Sequence, residues 1–457
     1  MPRPAYTPDE PIAAIATSLA PQALGVIRTS GKGAIELAAR VFSRPKALVN
    51  APTGTVRHGW IIRNGRPIDE VMAAVFRAPK SFTGEDTVEI YCHGGAAPCT
   101  GIYRLLLETG FRAAEPGEFT LRAFLHGKTD LTRAEAAAEI IAAKTDAARE
   151  RACGRLAGAL FEELRAVKTL LLHTLAALEA EIEYPEDENA IPSRFDDRDL
   201  REAEGRLRAL LDSWTCEKLY QDGARVALCG RTNAGKSSLF NLLLKEDRSI
   251  VSNTPGTTRD WIESWTSFGG LPVLLYDTAG IRESEDPVEK AGVERTRDLL
   301  AQADALVYVI DGAQGDGPDG EDAAFIREAE AGGKPLVIAL NKADRADRTG
   351  KPLPEGALWV SAKTGEGIPA LAAAVQGAIE GAGPGVPAAL GSRRQKDACA
   401  EALDSVVHAL KAPSRGFTTD SAAADIEDAL YALGEITGEV TAGDVLDTVF
   451  STFCLGK

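Results

Sequence analysis

A glycine-rich turn ending in a lysine and a serine stands at Gly230-Arg231-Thr232-Asn233-Ala234-Gly235-Lys236-Ser237. The spacing G-x-x-x-x-G-K-[ST] suits a ligand carrying several negative charges, because each residue type has its own task. Glycine lets the backbone wrap closely, so that successive N–H groups point inward. A helix expected over 238–244, starting at Ser238, adds the positive end of its dipole. Lys236 is then placed for the outer phosphates of a nucleotide and the Ser237 hydroxyl for magnesium. An apolar run at 225–229 precedes the turn. The strand–loop–helix context this chemistry requires is therefore present.

Three shorter motifs follow, each after an apolar run. Asp277-Thr278-Ala279-Gly280 comes after 272–276. Its aspartate suits magnesium held through water, and its glycine N–H suits a third phosphate. Asn341-Lys342-Ala343-Asp344 closes the run 335–340. A carboxylate at Asp344 accepts from both the ring N–H and the exocyclic amine of guanine. Adenine has no such donor pair, and a carboxylate left unpaired costs about 1–3 kcal/mol. Ser361-Ala362-Lys363 follows 358–360 and fits a loop that backs the base. Each motif is weak alone. Their order, and their place at strand ends where parallel sheets bind ligands, make them jointly specific for a guanine nucleotide.

Between the first two motifs lies Ser252-Asn253-Thr254-Pro255-Gly256-Thr257-Thr258-Arg259-Asp260. A threonine hydroxyl in such a loop reaches magnesium in the triphosphate state. Thr257 and Thr258 are both available, and the sequence does not choose between them. One expected group is missing. Ras-type enzymes place a water-orienting glutamine directly after the D-x-x-G motif, but Ile281 stands there. Isoleucine cannot hydrogen-bond to water, so hydrolysis needs another residue. The polar stretch 282–290 contains carboxylates able to polarise water. The matching positive charge must come from an arginine, a partner or a bound cation.

The elements that hold these loops are also readable. Apolar runs at 225–229, 272–276, 305–310, 335–340 and 358–360 alternate with helical stretches, as in a parallel α/β sheet. A hairpin is expected from 260–268 through Gly269-Gly270 to 271–276, since both glycines accept positive φ. One antiparallel strand in a parallel sheet fits a Ras-like nucleotide domain. Leu156, Leu160, Leu164, Val167, Leu171, Leu175, Leu178 and Ile182 step by threes and fours. They predict one long helix, ended by the 181–189 stretch with Pro185. Residues 381–387 read as a Gly/Pro linker, and helix returns over 392–457, with Leu433 and Ile436 on one stripe. Residues 1 to about 120 read as short strands and turns, with strands at 23–28 and 87–91. The expected fold is multidomain, α/β and α. An α+β domain (1–125) precedes a helical domain (126–219 and 384–457) into which a Ras-like domain (220–383) is inserted.

Bulk composition narrows the rest. No run of about 18 apolar residues and no basic-then-apolar leader is present, which predicts a cytoplasmic chain without a membrane span. Seven cysteines include no C-x-x-C pair, which speaks against a zinc site or disulfide framework. A net charge of −16 disfavours a broad electrostatic footprint for nucleic acid. It leaves room for a local basic patch or for a partner that holds the nucleic acid.

With these residues in hand, the chain resembles from end to end the tRNA modification GTPases of the MnmE (TrmE) family. The likeness is carried by Ser81-Phe82-Thr83-Gly84-Glu85-Asp86, Pro116-Gly117-Glu118-Phe119, Gly256-Thr257-Thr258-Arg259-Asp260, the Asp277 motif and the terminus Phe453-Cys454-Leu455-Gly456-Lys457. The resemblance implies a homodimer through a folate-binding-like first domain. There Arg28, Glu89, Lys128 and Lys457 would contact 5-formyltetrahydrofolate or a related tetrahydrofolate. It implies K+ in place of an arginine finger, on Asn233, Ser252, Thr254 and Thr257. It implies Thr258 beside Ser237 on Mg2+, and Glu289 as the catalytic glutamate. The implied activity is K+-activated hydrolysis of GTP to GDP and phosphate. With an MnmG-like FAD protein in a heterotetramer, it would serve the 5-carboxymethylaminomethyl (or aminomethyl) modification of the wobble uridine of certain tRNAs. Cys454 is a candidate nucleophile or redox thiol, or else only shapes the tail. The chain departs from the family pattern at Thr232, where many members carry proline, and at Leu455, where isoleucine is usual. The alternative is a regulatory or ribosome-assembly GTPase switch. Such proteins lack the first domain and the Cys454 tail.

Overall fold

The computed structural model describes residues 10–183, 196–246, 263–277, 300–314, 320–346, 356–380, 388–411, 419–440, 443–454 and 456. The chain divides into two compact units: Met1–Ala138 with Gly434–Lys457, and Glu139–Leu433. No helix among the described residues is long and apolar enough to cross a membrane.

The first unit is α+β. Its strands are β1 (Ile12–Ile15), β2 (Leu24–Ser30), β3 (Thr55–Arg63), β4 (Arg66–Phe76), β5 (Thr87–His93) and β6 (Arg112–Ala113). They form one sheet in the order β3-β4-β5-β2-β1-β6, antiparallel except for the β1–β6 pair. Alternation explains β5: Val88, Ile90 and Cys92 are buried while Glu89 and Tyr91 are half-buried. Helices α1 (Ala34–Ala39), α2 (Pro45–Val49) and α3 (Ala96–Thr109) are joined here by α4 (Glu118–Leu125) and α5 (Leu131–Ala142). Ile35 of α1 and Ile102 and Leu106 of α3 cover the face that carries Ile27, Val75 and Ile90. α3 stops at Gly110, whose φ of 118° a side chain would resist. The C-terminal helix Gly443–Ser451 returns to this unit. Its Phe450, with Phe453, packs on Leu131, Ala134 and Phe124.

The second unit begins with α6 (Asp146–Leu156), α7 (Ala159–Glu183) and α8 (Arg198–Asp222). The single long helix expected through Leu156 and Ile182 is in fact two. Gly158 takes φ 103° and breaks it, leaving Leu156 on α6 and 41% exposed. Leu160, Leu164, Val167, Leu171, Leu175 and Leu178 remain one buried stripe on α7, while Ile182 is exposed. Beside them, Arg155 and Glu217 are buried at 2% and 1% exposure and paired at 2.7 Å. Arg155 Nε also donates to Glu139 at 2.9 Å, and Arg151 pairs with Glu217.

The nucleotide-domain sheet comprises β7 (Ala224–Cys229), β8 (Glu263–Phe268), β9 (Leu271–Asp277), β10 (Ala305–Asp311), β11 (Leu336–Asn341) and β12 (Leu358–Trp359). Its order is β12-β11-β10-β7-β9-β8. Every pair is parallel except the β8–β9 hairpin, which turns on Gly269 (φ 59°) and Gly270 (φ 92°). Leu239 and Leu243 of α9 (Lys236–Glu246) cover one face of the sheet. Phe325 and Ile326 of α10 (Gly320–Ala331) cover the other. Leu371 and Val375 of α11 (Ile368–Glu380) join α9 on the first face. Burial on both faces is why the strands read as continuous apolar runs. Helices α12 (Arg393–Lys411) and α13 (Thr419–Thr437) follow, and α12 packs on α8. The nucleotide domain is thus inserted between helices that belong together, as expected.

The Arg155 cluster sets a stability test. Glu217→Ala leaves two arginines short of a carboxylate in a desolvated place. The second unit should lose about 3 kcal/mol, read from its urea transition. An unshifted midpoint would mean that water screens the cluster.

Candidate functional site

The carboxyl ends of β7, β10, β11 and β12 carry Cys229, Asp311, Asn341 and Trp359. All the described motif loops leave the sheet on this edge. Gly230 turns with φ 131°, and a Cβ there would stand 2.1 Å from the Val309 carbonyl. Only glycine passes. Asn233 takes φ 65°, a left-handed conformation that asparagine tolerates better than most residues. Gly235 (φ 94°) lies so close to Asn341 that a Cβ would stand 2.2 Å from Nδ2. Helix α9 starts at Lys236, with Ser237 exposed in its first turn. Lys236 Nζ donates to the carbonyls of Gly230 and Arg231 at 2.7 and 2.8 Å. Burial pulls its pKa below the usual lysine value, and the charge of Asp277 opposes the fall. Asp277 itself is buried at the end of β9.

Cross-links join the phosphate loop to the base loops. Asn341 Nδ2 donates to Ala234 O at 2.9 Å, and its Oδ1 accepts from the Ala362 N–H at 3.0 Å. Lys342 Nζ donates to Asn233 O at 2.9 Å and pairs with Asp311 Oδ2 at 2.6 Å. Ser361 Oγ donates to Asp344 Oδ1 at 2.8 Å. That hydroxyl holds the Asp344 carboxyl below its ordinary pKa, keeping it an acceptor. Ala343 is buried under the strand end, its N–H on Val360 O. Asn233, Ala234, Gly235, Lys236, Ser237 and Ser238 are thus brought beside Asp277, Asn341, Lys342, Ala343, Asp344, Ser361, Ala362 and Lys363. Ser252, Asn253, Thr254, Pro255, Gly256, Thr257, Thr258, Thr278, Ala279, Gly280, Glu289 and Lys457 lie outside the described residues. Asp311 escaped the reading of the sequence. Its signal was an aspartate directly after the apolar run 305–310 and before Gly312.

In the first unit, Arg28 and Glu89 stand opposite each other on β2 and β5. Arg28 Nε donates to Glu89 Oε1 at 2.7 Å, and its Nη1 donates to the Gly456 carbonyl at 2.8 Å. Tyr91 donates to Glu89 Oε2 at 2.7 Å. Burial, helped by Glu89, pushes the Tyr91 hydroxyl up to about 12. Arg28 and Glu89 line a cavity of about 110 Å³ with Phe76, Phe82, Thr83, Thr87 and Phe119. Phe82 and Thr83 belong to the Ser81 motif and Phe119 to the Pro116 motif. A buried arginine that sequence reasoning passed over ties the two motifs together. Arg122 pairs with Glu85 at 3.0 Å and with Glu118 at 2.9 Å. Burial works against the charge on Glu118. Hydrogen bonds from Arg112, the Glu115 N–H and Arg122 outweigh it and lower the pKa. Lys128 is exposed on the turn after α4 and is not among the residues lining the cavity. Cys454 is exposed on the tail as a free thiol.

Residues 11–128 match the family model of the GTP-binding protein TrmE N-terminus, and residues 131–454 that of the MnmE helical domain. The tRNA modification GTPase MnmE of Treponema denticola is 48% identical over 471 residues, covering 99% of each chain. Its namesake in Treponema pallidum is 41% identical over 495 residues, again covering 99% of each. That of Symbiobacterium thermophilum is 40% identical over 463 residues, covering 98% of this chain and 100% of the relative. The likeness spans both units and the inserted nucleotide domain, and the chain is a GTP hydrolase that belongs to the MnmE family of tRNA modification GTPases.

Proposed function

We propose that this GTPase acts in the modification of the wobble uridine of certain tRNAs, installing a 5-carboxymethylaminomethyl or aminomethyl group together with an MnmG-like FAD protein in a heterotetramer. The observation that carries this reading is the joint presence of three parts. They are a cross-linked guanine-nucleotide loop system, an α+β unit with an Arg28–Glu89 cavity, and a tail that reaches Arg28 through Gly456. The chain works as a cytoplasmic homodimer through its first unit. Its net charge of −16 suits a protein that leaves much of the tRNA grip to its partner.

Phosphate-loop N–H groups and Lys236 bind the phosphates of GTP. Asp344, ionised and oriented by Ser361, accepts from the guanine edge. Ser237 and Thr258 would hold Mg2+, and Asp277, Thr278, Ala279 and Gly280 would contact the nucleotide. Asn233, Ser252, Thr254 and Thr257 would offer oxygens to K+, and Asn253, Pro255 and Gly256 would contact the nucleotide. When bound, the two cations would supply positive charge against the charge that develops on the phosphates. Glu289 orients the attacking water in place of the glutamine that Ile281 displaces. In the first unit, Arg28, Glu89, Lys128 and Lys457 contact a tetrahydrofolate carrying a one-carbon group. The donor set fits such a ligand. Glu89 can accept ring N–H groups, and Phe82 and Phe119 offer apolar walls. Cys454 stands on the tail as an exposed thiol available to that chemistry.

Three outcomes are expected. Transfer RNA from cells lacking this protein should carry unmodified wobble uridine at the affected positions. Normal modification there would favour a regulatory switch instead. Replacing sodium by potassium should raise GTP turnover by about tenfold or more, the scale of one well-placed charge, and equal rates in both salts would remove K+ from the site. Asp344→Asn should exchange guanosine for xanthosine nucleotides by about 1–3 kcal/mol in relative affinity, measured by competitive binding. An unchanged preference would defeat the base contact.

A further inference from the structure

We propose that Asp311 is a positioning residue for GTP hydrolysis, acting through Lys342 on Asn233. Asp311 ends β10 and pairs in register with Asn341 on β11, at the ligand-binding edge of the sheet. Its carboxylate is only 13% exposed and is held from its own side. Oδ1 accepts from the Ala313 N–H at 3.0 Å, and Oδ2 accepts from Gln314 Nε2 at 3.3 Å. Oδ2 also holds the Lys342 ammonium at 2.6 Å. The same ammonium donates to the Asn233 carbonyl at 2.9 Å. Both Asn233 and Lys342 take φ 65°, where residues with side chains are strained. The side chain of one left-handed residue therefore reaches the backbone of the other, and its ammonium is fixed by one carboxylate.

Removing the carboxylate changes the balance at Lys342. An ammonium on a flexible four-carbon stem, 30% exposed, gains more from water than from one neutral carbonyl. The Asn233 carbonyl then loses its donor, and the left-handed backbone that sets the position of Asn233 is free to relax. Base recognition rests on Asp344 and Ser361, which keep their own hydrogen bond. The effect falls on turnover and spares the choice of base. The proposal rests on the reading above that Asn233 acts in the phosphate-loop and K+ site.

The test is a double-mutant cycle on the full chain, with rates normalised to GDP-binding stoichiometry. Asp311→Ala in the otherwise native chain should lower kcat about tenfold, or about 1.4 kcal/mol, with KM changed less than about threefold. Asp311→Asn keeps an acceptor oxygen and the native shape, so it should recover part of the loss and guards against a folding artefact. In an Asn233→Ala background, Asp311→Ala should change kcat by less than about twofold. Equal losses in the two backgrounds, or an unchanged kcat for Asp311→Ala alone, would overturn the proposal. Native turnover in Asn233→Ala by itself would instead overturn the role of Asn233 on which it rests.

Discussion

One carboxamide, that of Asn341, holds three loops of the nucleotide domain in place. It is 1% exposed, donates to the phosphate loop at Ala234 and accepts from the base loop at Ala362. An amide is the one small flat group that offers a donor and an acceptor on neighbouring atoms. Aspartate at this position would set an oxygen against the Ala234 carbonyl, and leucine would leave two buried polar groups unmet, each at about 1–3 kcal/mol. The close approach also dictates Gly235, because any Cβ there would strike Nδ2. The site therefore depends on a chain of fixed registers. β11 pairs with β10 so that Asn341 meets Asp311, and Asn341 in turn sets the loop that wraps phosphate.

The helical part of the second unit is tied to the nucleotide domain by polar contacts as well as by packing. Arg151 stacks on Tyr220 at 3.9 Å, and both belong to helices that precede the sheet. The Tyr220 hydroxyl bonds to Glu380 at the end of α11. Lys144 lies 3.4 Å from the centre of the Trp265 ring on β8. The Arg151–Tyr220–Glu380 links lead back to the Arg155–Glu217 cluster, where burial makes the ion pairs intolerant of losing one partner. These contacts link α11 to α6 and α8, and the β8–β9 hairpin to the turn before α6.

The strands of the nucleotide sheet, the Gly269-Gly270 hairpin and the described loops at the strand ends were legible in the sequence because each has a local signature. Apolar runs report burial on both faces, and glycine–lysine spacing reports a wrapped anion. The Gly158 break was misread for an equally local reason. Leu156 and Leu160 remain four residues apart across it, so the periodicity does not register the interruption. The glycine itself was the only cue. Asp311 and Glu217 were missed because their importance comes from partners far away in sequence, and Arg122 because one of its two carboxylates, Glu85, lies 37 residues away. Lys342 lies 31 residues from Asp311, and Glu217 62 residues from Arg155. No pattern of spacing reports a contact of that kind. Only the register of a folded sheet or the crossing of two helices creates it.

The first unit shows how a pair already bonded to itself can remain a binding site. Glu89 accepts from Arg28 on one oxygen and from Tyr91 on the other. A carboxylate has about four acceptor positions, so two are left for a ligand. Arg28 has five N–H donors and uses two groups of them on Glu89 and Gly456, leaving the rest for an incoming oxygen. A ligand entering the cavity therefore adds hydrogen bonds without breaking those present, and meets side chains whose rotamers are already fixed. The tail shares this preorganisation. Gly456 takes φ 85°, and a Cβ there would stand 2.9 Å from Ala16 Cα. A glycine next to the last residue is needed for the backbone to lie flat enough for its carbonyl to reach Arg28. The terminal motif is thus explained in part by packing alone, before any chemistry is asked of Cys454.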